Sequence, residues 1–412
     1  MEIAPQPQRA IADLRALAEL TGGPGGARRL AWTDEWAKAR GLLTERLAEL
    51  PVEVEVDEAG NLWARLAGER PETVVIGSHI DSVPNGGWLD GALGIMGALE
   101  TLRSLSERGT PPPCTVSLVD WADEEGARFG RSLLGSSAAA GTLDPDTVRD
   151  LRDAGGVRLE DALAAYGVDL DRALEATGRL RDVRAYLELH IEQGPVLEGL
   201  GLPVGTVLGT VGVERNRVIF RGQAAHAGST PMTHRLDSFL AAARFALAVR
   251  DAAVRHGGMS TTGGATSQPG VITAIAGETA LLLDQRHLGA DVLAALLAES
   301  QELAAEAAAA EGCSVEWEPI WRIEPIPFDP LLIAAAREAC RAVAGSDHAL
   351  PSGPLHDAAE MARRVPTVMI FSSSTNGISH AKEEDTPIEH LELAIRAYAQ
   401  TVGAAIDRVA AG

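Results

Sequence analysis

Apolar positions along the chain fall into short runs separated by segments with helical spacing. Residues 8–22 place Ile11, Leu14 and Leu17 on one helical face, and residues 33–50 do the same with Trp36, Leu43 and Leu47 behind Thr33, a suitable N-cap. Val52, Val54 and Val56 alternate with glutamates, residues 57–61 turn, and Leu62 to Leu66 alternates again, which predicts a hairpin. Thr73–Ile76, Thr115–Val119 and Arg184–His190 read as strands, with a helix over 92–107 and a mostly exposed one over 157–177. Strands alternating with helices predict an α/β sheet.

The pattern changes near residue 210. A strand at 217–220 precedes a helix at 236–256, two strands within 271–286 around Ala276-Gly277, a helix at 288–311 and a strand at 314–317. That order is the split βαβ, ferredoxin-like arrangement. After Pro325-Ile-Pro327 the first pattern resumes, with helices at 329–344, 357–364 and 388–409 and a strand from Thr367 to Phe371. The expectation is an α/β domain with a mixed sheet flanked by helices, spanning 1–209 and 326–412, and an inserted α+β domain at 210–325.

Composition narrows the partners. The 412 residues are 46% hydrophobic, enough for a large core, and their formal net charge is −22. Nucleic acid and anionic membrane both demand basic patches, so neither is expected as a partner. Cys114, Cys313 and Cys340 are too few and too scattered for a disulfide framework or a thiolate zinc site. No basic, apolar leader opens the sequence and no apolar run approaches membrane-spanning length, so a soluble cytoplasmic protein is expected.

Chemistry gathers where predicted strands end. The strand at 73–76 runs into Gly77-Ser-His79-Ile-Asp81, and Asp90 follows a Pro-Asn-Gly-Gly loop just before the apolar helix. Glu124-Glu125 follows the second strand, His190 ends the third, and His380 lies in Gly-Ile-Ser-His after the last. Open α/β sheets bind ligands at these carboxyl ends. Imidazole and carboxylate donors without thiolates suit zinc, manganese, cobalt or nickel. His79, Asp90, Glu125, His190 and His380 are more ligands than one tetrahedral ion needs, and they suit two ions sharing a carboxylate, as in metal-assisted hydrolysis. Adjacent glutamates divide naturally into one ligand and one general base.

These motifs, with Ala225-His226-Ala-Gly-Ser-Thr-Pro231, Leu283-Asp-Gln-Arg286, His356-Asp357 and Glu188-Leu-His190-Ile-Glu-Gln-Gly-Pro195, resemble the zinc-dependent amidases of the hydantoinase/carbamoylase type. Those belong to the aminoacylase/carboxypeptidase G superfamily of di-metal hydrolases. The resemblance implies that Asp90 bridges two ions, with His79 and His190 on one and Glu125 and His380 on the other. It implies Glu124 as the base and Asp81 as the residue that holds the His79 ring. It further implies that the inserted domain forms the contact of a homodimer, and that His226 reaches the neighbouring subunit's site to polarise the scissile carbonyl. Gln193 and Arg286 match substrate-contacting positions, Arg286 as a bidentate clamp for a carboxylate, and Arg215 lies near a further family arginine. His356 is expected beside the site rather than in it.

Three positions depart from the family pattern. Thr273 begins a loop that usually starts with Asn, Leu355 replaces the Gly before His-Asp, and Ala225 replaces the Asn before His-Ala-Gly. None removes a ligand, and all bear on the substrate pocket. The expected activity is hydrolysis of a linear carbamoyl or ureido C–N bond, first of an N-carbamoyl-L-amino acid. Allantoate or β-ureidopropionate hydrolysis and peptide or N-acyl cleavage are the alternatives in the same class. A metal-binding scaffold without turnover is the alternative outside it, and Glu124 argues against that.

Overall fold

The computed structural model describes all 412 residues, which divide into two compact units, Met1–Gly209 with Phe328–Gly412, and Thr210–Pro327. In the first unit, strands β1 (Glu53–Val56), β2 (Leu62–Leu66), β3 (Thr73–His79), β4 (Thr115–Trp121), β5 (Val183–Ile191) and β6 (Val204–Thr210) join one mixed sheet. Four strands of the second unit intervene in the chain before β11 (Ala349–Ser352) and β12 (Thr367–Ser372) join it. The order is β6-β12-β5-β3-β4-β2-β1, with β11 paired to β6. Its centre, β12-β5-β3-β4, is parallel, so four carboxyl ends open on one rim. β3 and β4 are buried along their whole length, which is why both read as continuous apolar runs rather than alternating ones.

Helices cover the sheet. α1 (Pro7–Thr21) and α2 (Asp34–Leu47) pack together, and Thr33 accepts a hydrogen bond from the Trp36 amide as the N-cap of α2. α3 (Ala92–Ser106) is buried through all but its last residue, and it packs against β3 and β5. Residues 157–177 differ from expectation. They form a short helix at Leu159–Ala165 and a 3₁₀ segment at Leu170–Leu180, and they bury Leu159, Leu163, Ala173 and Ala176.

The second unit is an antiparallel sheet of β7 (Gly212–Arg221), β8 (Met259–Gln268), β9 (Glu278–His287) and β10 (Ser314–Ile323), in the order β8-β9-β7-β10. α4 (Ser238–His256) and α5 (Ala290–Ala310) complete a ferredoxin-like βαββαβ, and Phe220, Phe245, Val249 and Leu283 lie in its core. The second strand of this motif lies at 259–268, earlier than the 271–286 stretch expected to carry two strands. Met-Ser-Thr-Thr-Gly-Gly-Ala-Thr-Ser-Gln has no apolar alternation because β8 is an edge strand with most of its positions exposed or half-buried.

Candidate metal centre

Four strand ends deliver the site. His79 closes β3 and pairs in register with Trp121, which closes β4 and leads into Asp123-Glu124-Glu125. His190 lies near the end of β5 opposite Phe371 of β12, whose following loop carries His380. Asp90 precedes α3 through Gly91, whose φ of +63° suits glycine, and a Cβ there would stand 2.4 Å from His79 Cε1. The close approach of Gly91 to the ring brings Asp90 to the histidines.

Asp90 is the centre of the cluster. Its Oδ1 lies 3.2 Å from His190 Nε2 and 3.7 Å from His79 Nε2, while its Oδ2 lies 3.2 Å from His380 Nε2. Glu125 Oε2 stands 3.4 Å from His380 Nε2, and Glu124 Oε2 stands 3.6 Å from His79 Nε2. The donors form two groups that share Asp90: His79 and His190 on one side, Glu125 and His380 on the other. Two ligand atoms on one tetrahedral cation, each ~2.0–2.1 Å from it, are about 3.3 Å apart. The His190, His380 and Glu125 separations match that value, and His79 is a few tenths of an ångström wider. The donor set and its spacing therefore fit a pair of divalent cations.

Electrostatics agree with that fit. Burial alone would raise Asp90, but hydrogen bonds with His190 and His380 hold it well below the usual carboxylate range. Burial would lower His79, yet Glu124 and Asp81 push it well above an ordinary imidazole. The hydrogen bond to Asp90 lifts His380 to about 9. Burial, with Asp90 nearby, raises Glu125 to about 7, and burial raises Glu124 well above its usual range. Carboxylates and imidazoles here serve as each other's counter-ions, a role that cations take over when bound.

Asp81 does more than the sequence reading gave it. His79 Nδ1 lies 3.5 Å from Asp81 Oδ1 and 3.2 Å from the Asp81 carbonyl oxygen. The same carboxylate accepts the backbone N–H of Glu124 on Oδ1 and that of Glu125 on Oδ2, both at 3.2 Å. One side chain thus fixes both a candidate ligand and the two glutamates. His190 Nδ1 donates to the Ile191 carbonyl at 2.9 Å, which fixes the ring with Nε2 turned toward Asp90, 3.2 Å from its Oδ1 and 3.3 Å from the Gly91 amide nitrogen.

Gln193 lies beside Asp90. Its Nε2 donates to Asp90 Oδ2 at 2.9 Å and to Ser379 Oγ at 3.0 Å, so it braces the central carboxylate, and only its buried Oε1 lacks a protein partner. His356 lies against His190, ring centroids 4.4 Å apart, and burial drives its pKa well down. Two residues that sequence reasoning missed belong to the same region. Asp123, raised to about 8 by burial, accepts from Trp32 Nε1. Glu384 spans the Asp90 and Ser379 loops. The acidic run around Glu124 was the only signal for the first, and nothing in the spacing signalled the second.

The second unit carries the other three expected residues. His226 Nδ1 accepts the amides of Gly228 and Ser229 at 3.1 and 3.2 Å, which sets the tautomer with Nε2–H facing outward on an exposed side chain. Arg286 and Arg215 flank Asp284: Arg286 Nε donates to Oδ1 and Arg215 Nε to Oδ2, each at 2.8 Å. Arg215 also lies over the Trp321 ring, 4.9 Å from its centroid.

Comparison with known proteins accords with this arrangement. Residues 75–404 match the model of peptidase family M20/M25/M40. An N-carbamoyl-L-amino acid amidohydrolase from Geobacillus stearothermophilus is 37% identical over 390 residues, 92% of this chain and 93% of that one. An allantoate amidohydrolase from Escherichia coli K12 is 37% identical over 379 residues, 91% of this chain and 92% of that one. A solved amidase of the hydantoinase/carbamoylase family from Burkholderia multivorans superposes with a TM-score of 0.86 at 33% identity, covering 97% and 98% of the two chains. The chain belongs to peptidase family M20/M25/M40, on its hydantoinase/carbamoylase amidase branch.

Proposed function

We propose that this protein is a carbamoylase-type amidohydrolase that uses two divalent cations to cleave the linear C–N bond of a carbamoyl or ureido group, N-carbamoyl-L-amino acids first among its substrates. The observation that carries the reading is Asp90, whose two oxygens face separate imidazoles while Glu124 stands beside one of them. His79, His190 and Asp90 would hold one cation, and Glu125, His380 and Asp90 the other. When bound, such a pair supplies Lewis acidity and lowers the pKa of water.

The chain's own residues do the rest. Glu124, buried and shifted up, takes a proton from the attacking water and passes it to the departing nitrogen. His226, whose Nε2–H points outward, donates to the carbonyl oxygen as negative charge builds there. Arg286, with its guanidinium aligned by Asp284, grips the substrate carboxylate, and Arg215 lines the same patch. Loss of carbon dioxide and ammonia leaves the free amino acid.

The homodimer belongs to the same reading. Leu240, Leu247 and Val254 form an exposed apolar row on α4 at seven-residue spacing, and β8 leaves one edge of its sheet open. Three free cysteines, two of them buried, suit the reducing cytoplasm. Allantoate is the second reading, favoured by an equal 37% identity to the allantoate amidohydrolase. Turnover of N-carbamoyl-L-amino acids, allantoate, β-ureidopropionate and N-acyl amino acids, assayed with zinc, manganese, cobalt or nickel, tests the proposal. Hydrolysis of N-acyl substrates alone would overturn it.

A further inference from the structure

Glu384 is a buried carboxylate, 2% exposed, that the hydrolytic scheme above does not use. Its Oε1 accepts the amides of Leu89 and Asp90, both at 3.0 Å, although nearly 300 residues separate them in sequence. Its Oε2 receives Ser379 Oγ at 2.8 Å, directly before His380. Ser379 Oγ also lies 3.2 Å from Asp90 Oδ2 and accepts Gln193 Nε2 at 3.0 Å. Ser379 has one hydroxyl proton, and the shorter distance directs it to Glu384.

The backbone around it is shaped to admit this side chain. A Cβ at Gly87 would stand 2.0 Å from Glu384 Cδ and Oε1, so only glycine leaves room. Gly87 begins the same turn that ends at Asp90, and Leu89 N–H and Asp90 N–H point at one carboxylate oxygen. Two buried amides left unpaired would carry the full penalty of their lost hydration, so the Asp90 turn depends on this acceptor.

We propose that Glu384 is a positioning residue that locks the Asp90 turn to the His380 loop and thereby sets both cation positions at once. The inference rests on the two-cation reading of Asp90. Asp90 serves both positions and His380 only one, so the two halves of the strap make different contributions. Removing Glu384 frees the shared carboxylate and weakens both positions. Removing Ser379 cuts the link to the His380 loop and weakens that side alone.

The test titrates Co²⁺ into metal-free wild type, Glu384→Ala and Ser379→Ala against a chromophoric chelator, and follows the visible d–d bands. Wild type should take two equivalents. Its failure to bind Co²⁺ would defeat the two-cation reading itself, separately from the strap. Glu384→Ala should weaken both equivalents by about 10–100-fold, the usual effect of losing an outer-shell partner, and alter both band sets. Ser379→Ala should weaken the second equivalent by several-fold and leave the first within about twofold. Wild-type affinity and spectrum in folded Glu384→Ala would overturn the proposal. Should Glu384→Ala fail to fold, unchanged affinity for both equivalents in Ser379→Ala overturns it equally.

Discussion

Asp81→Asn separates two roles for one side chain. If Asp81 only oriented the His79 ring, the amide would cost metal affinity on that side and little else. In the structure the carboxylate also accepts the Glu124 and Glu125 amides, one on each oxygen at 3.2 Å, inside a site with 1% exposure. Asparagine keeps one acceptor and turns an N–H₂ toward the other amide. One hydrogen bond to a charged acceptor is lost, about 1.5–3 kcal/mol, and the facing donors add desolvation of similar order. A loss of about 3–6 kcal/mol follows for the metal-free protein. At a urea slope of ~3 kcal/mol/M, the midpoint should fall by about 1–2 M. Because the Glu124 backbone is released, kcat should also drop about 10²-fold or more with metal restored. A metal-free variant that unfolds at the wild-type urea concentration would refute the backbone role.

Four further outcomes are expected. Exhaustive chelation should abolish turnover, and zinc, manganese or cobalt should restore it with two equivalents bound per chain, measured by elemental analysis. Glu124→Gln should retain metal and lose about 10²–10⁴-fold in kcat, whereas Glu125→Gln should lose metal content first. Asp284→Asn should raise KM for carboxylate-bearing substrates and spare metal binding. Burial would raise the Asp284 carboxyl, but Arg286 and Arg215 outweigh it and hold the group below its ordinary value. Its contribution is therefore complete above the unfolded value near ~3.9 and fades as pH falls through the lowered one, so wild type and Asp284→Asn should converge in stability below about pH 4. Mixed His226→Ala and Glu124→Gln chains should recover up to about a quarter of wild-type activity per chain, since half the dimers are mixed and one site of two is whole. Recovery should vanish when Leu247→Asp on α4 abolishes the dimer in sedimentation.

What the sequence made legible follows from where side chains face. β3 and β4 are buried on both faces and appear as apolar runs, β5 is buried at all but Arg184, and the polar residues at or just beyond the ends of these strands stand out as His79, Glu124 and His190. α4 and α5 carry regular amphipathic spacing and were read to within a few residues. β8 was not, because an edge strand with little to bury needs no apolar period. The segment over 157–177 failed for the opposite reason: its buried residues are spread over two short helical pieces, so no single helical phase describes them.

The supporting network was illegible for a different cause. A ligand announces itself by residue type at a strand end, but a partner of that ligand can come from anywhere in the chain. Glu384 stands in Lys-Glu-Glu-Asp, which reads as a solvated acidic turn, yet the fold buries it beneath the Asp90 turn. Arg29 stands in an unremarkable Ala-Arg-Arg-Leu and is wholly buried, its Nε donating to the Ile80 carbonyl between the two ends of the His79–Asp81 loop. Such residues share a physical logic. Asp81, Asp90, Glu124, Glu188, Asp357 and Glu384 are six buried carboxyl groups, set against the buried Arg29 and the imidazoles of His79 and His190. Buried charge is tolerated where it is paired or coordinates metal. The excess of carboxylates over buried cations at one rim of the sheet, with imidazoles among them, is thus itself an argument for two divalent cations, and it emerges only when residues from 29 to 384 are seen together.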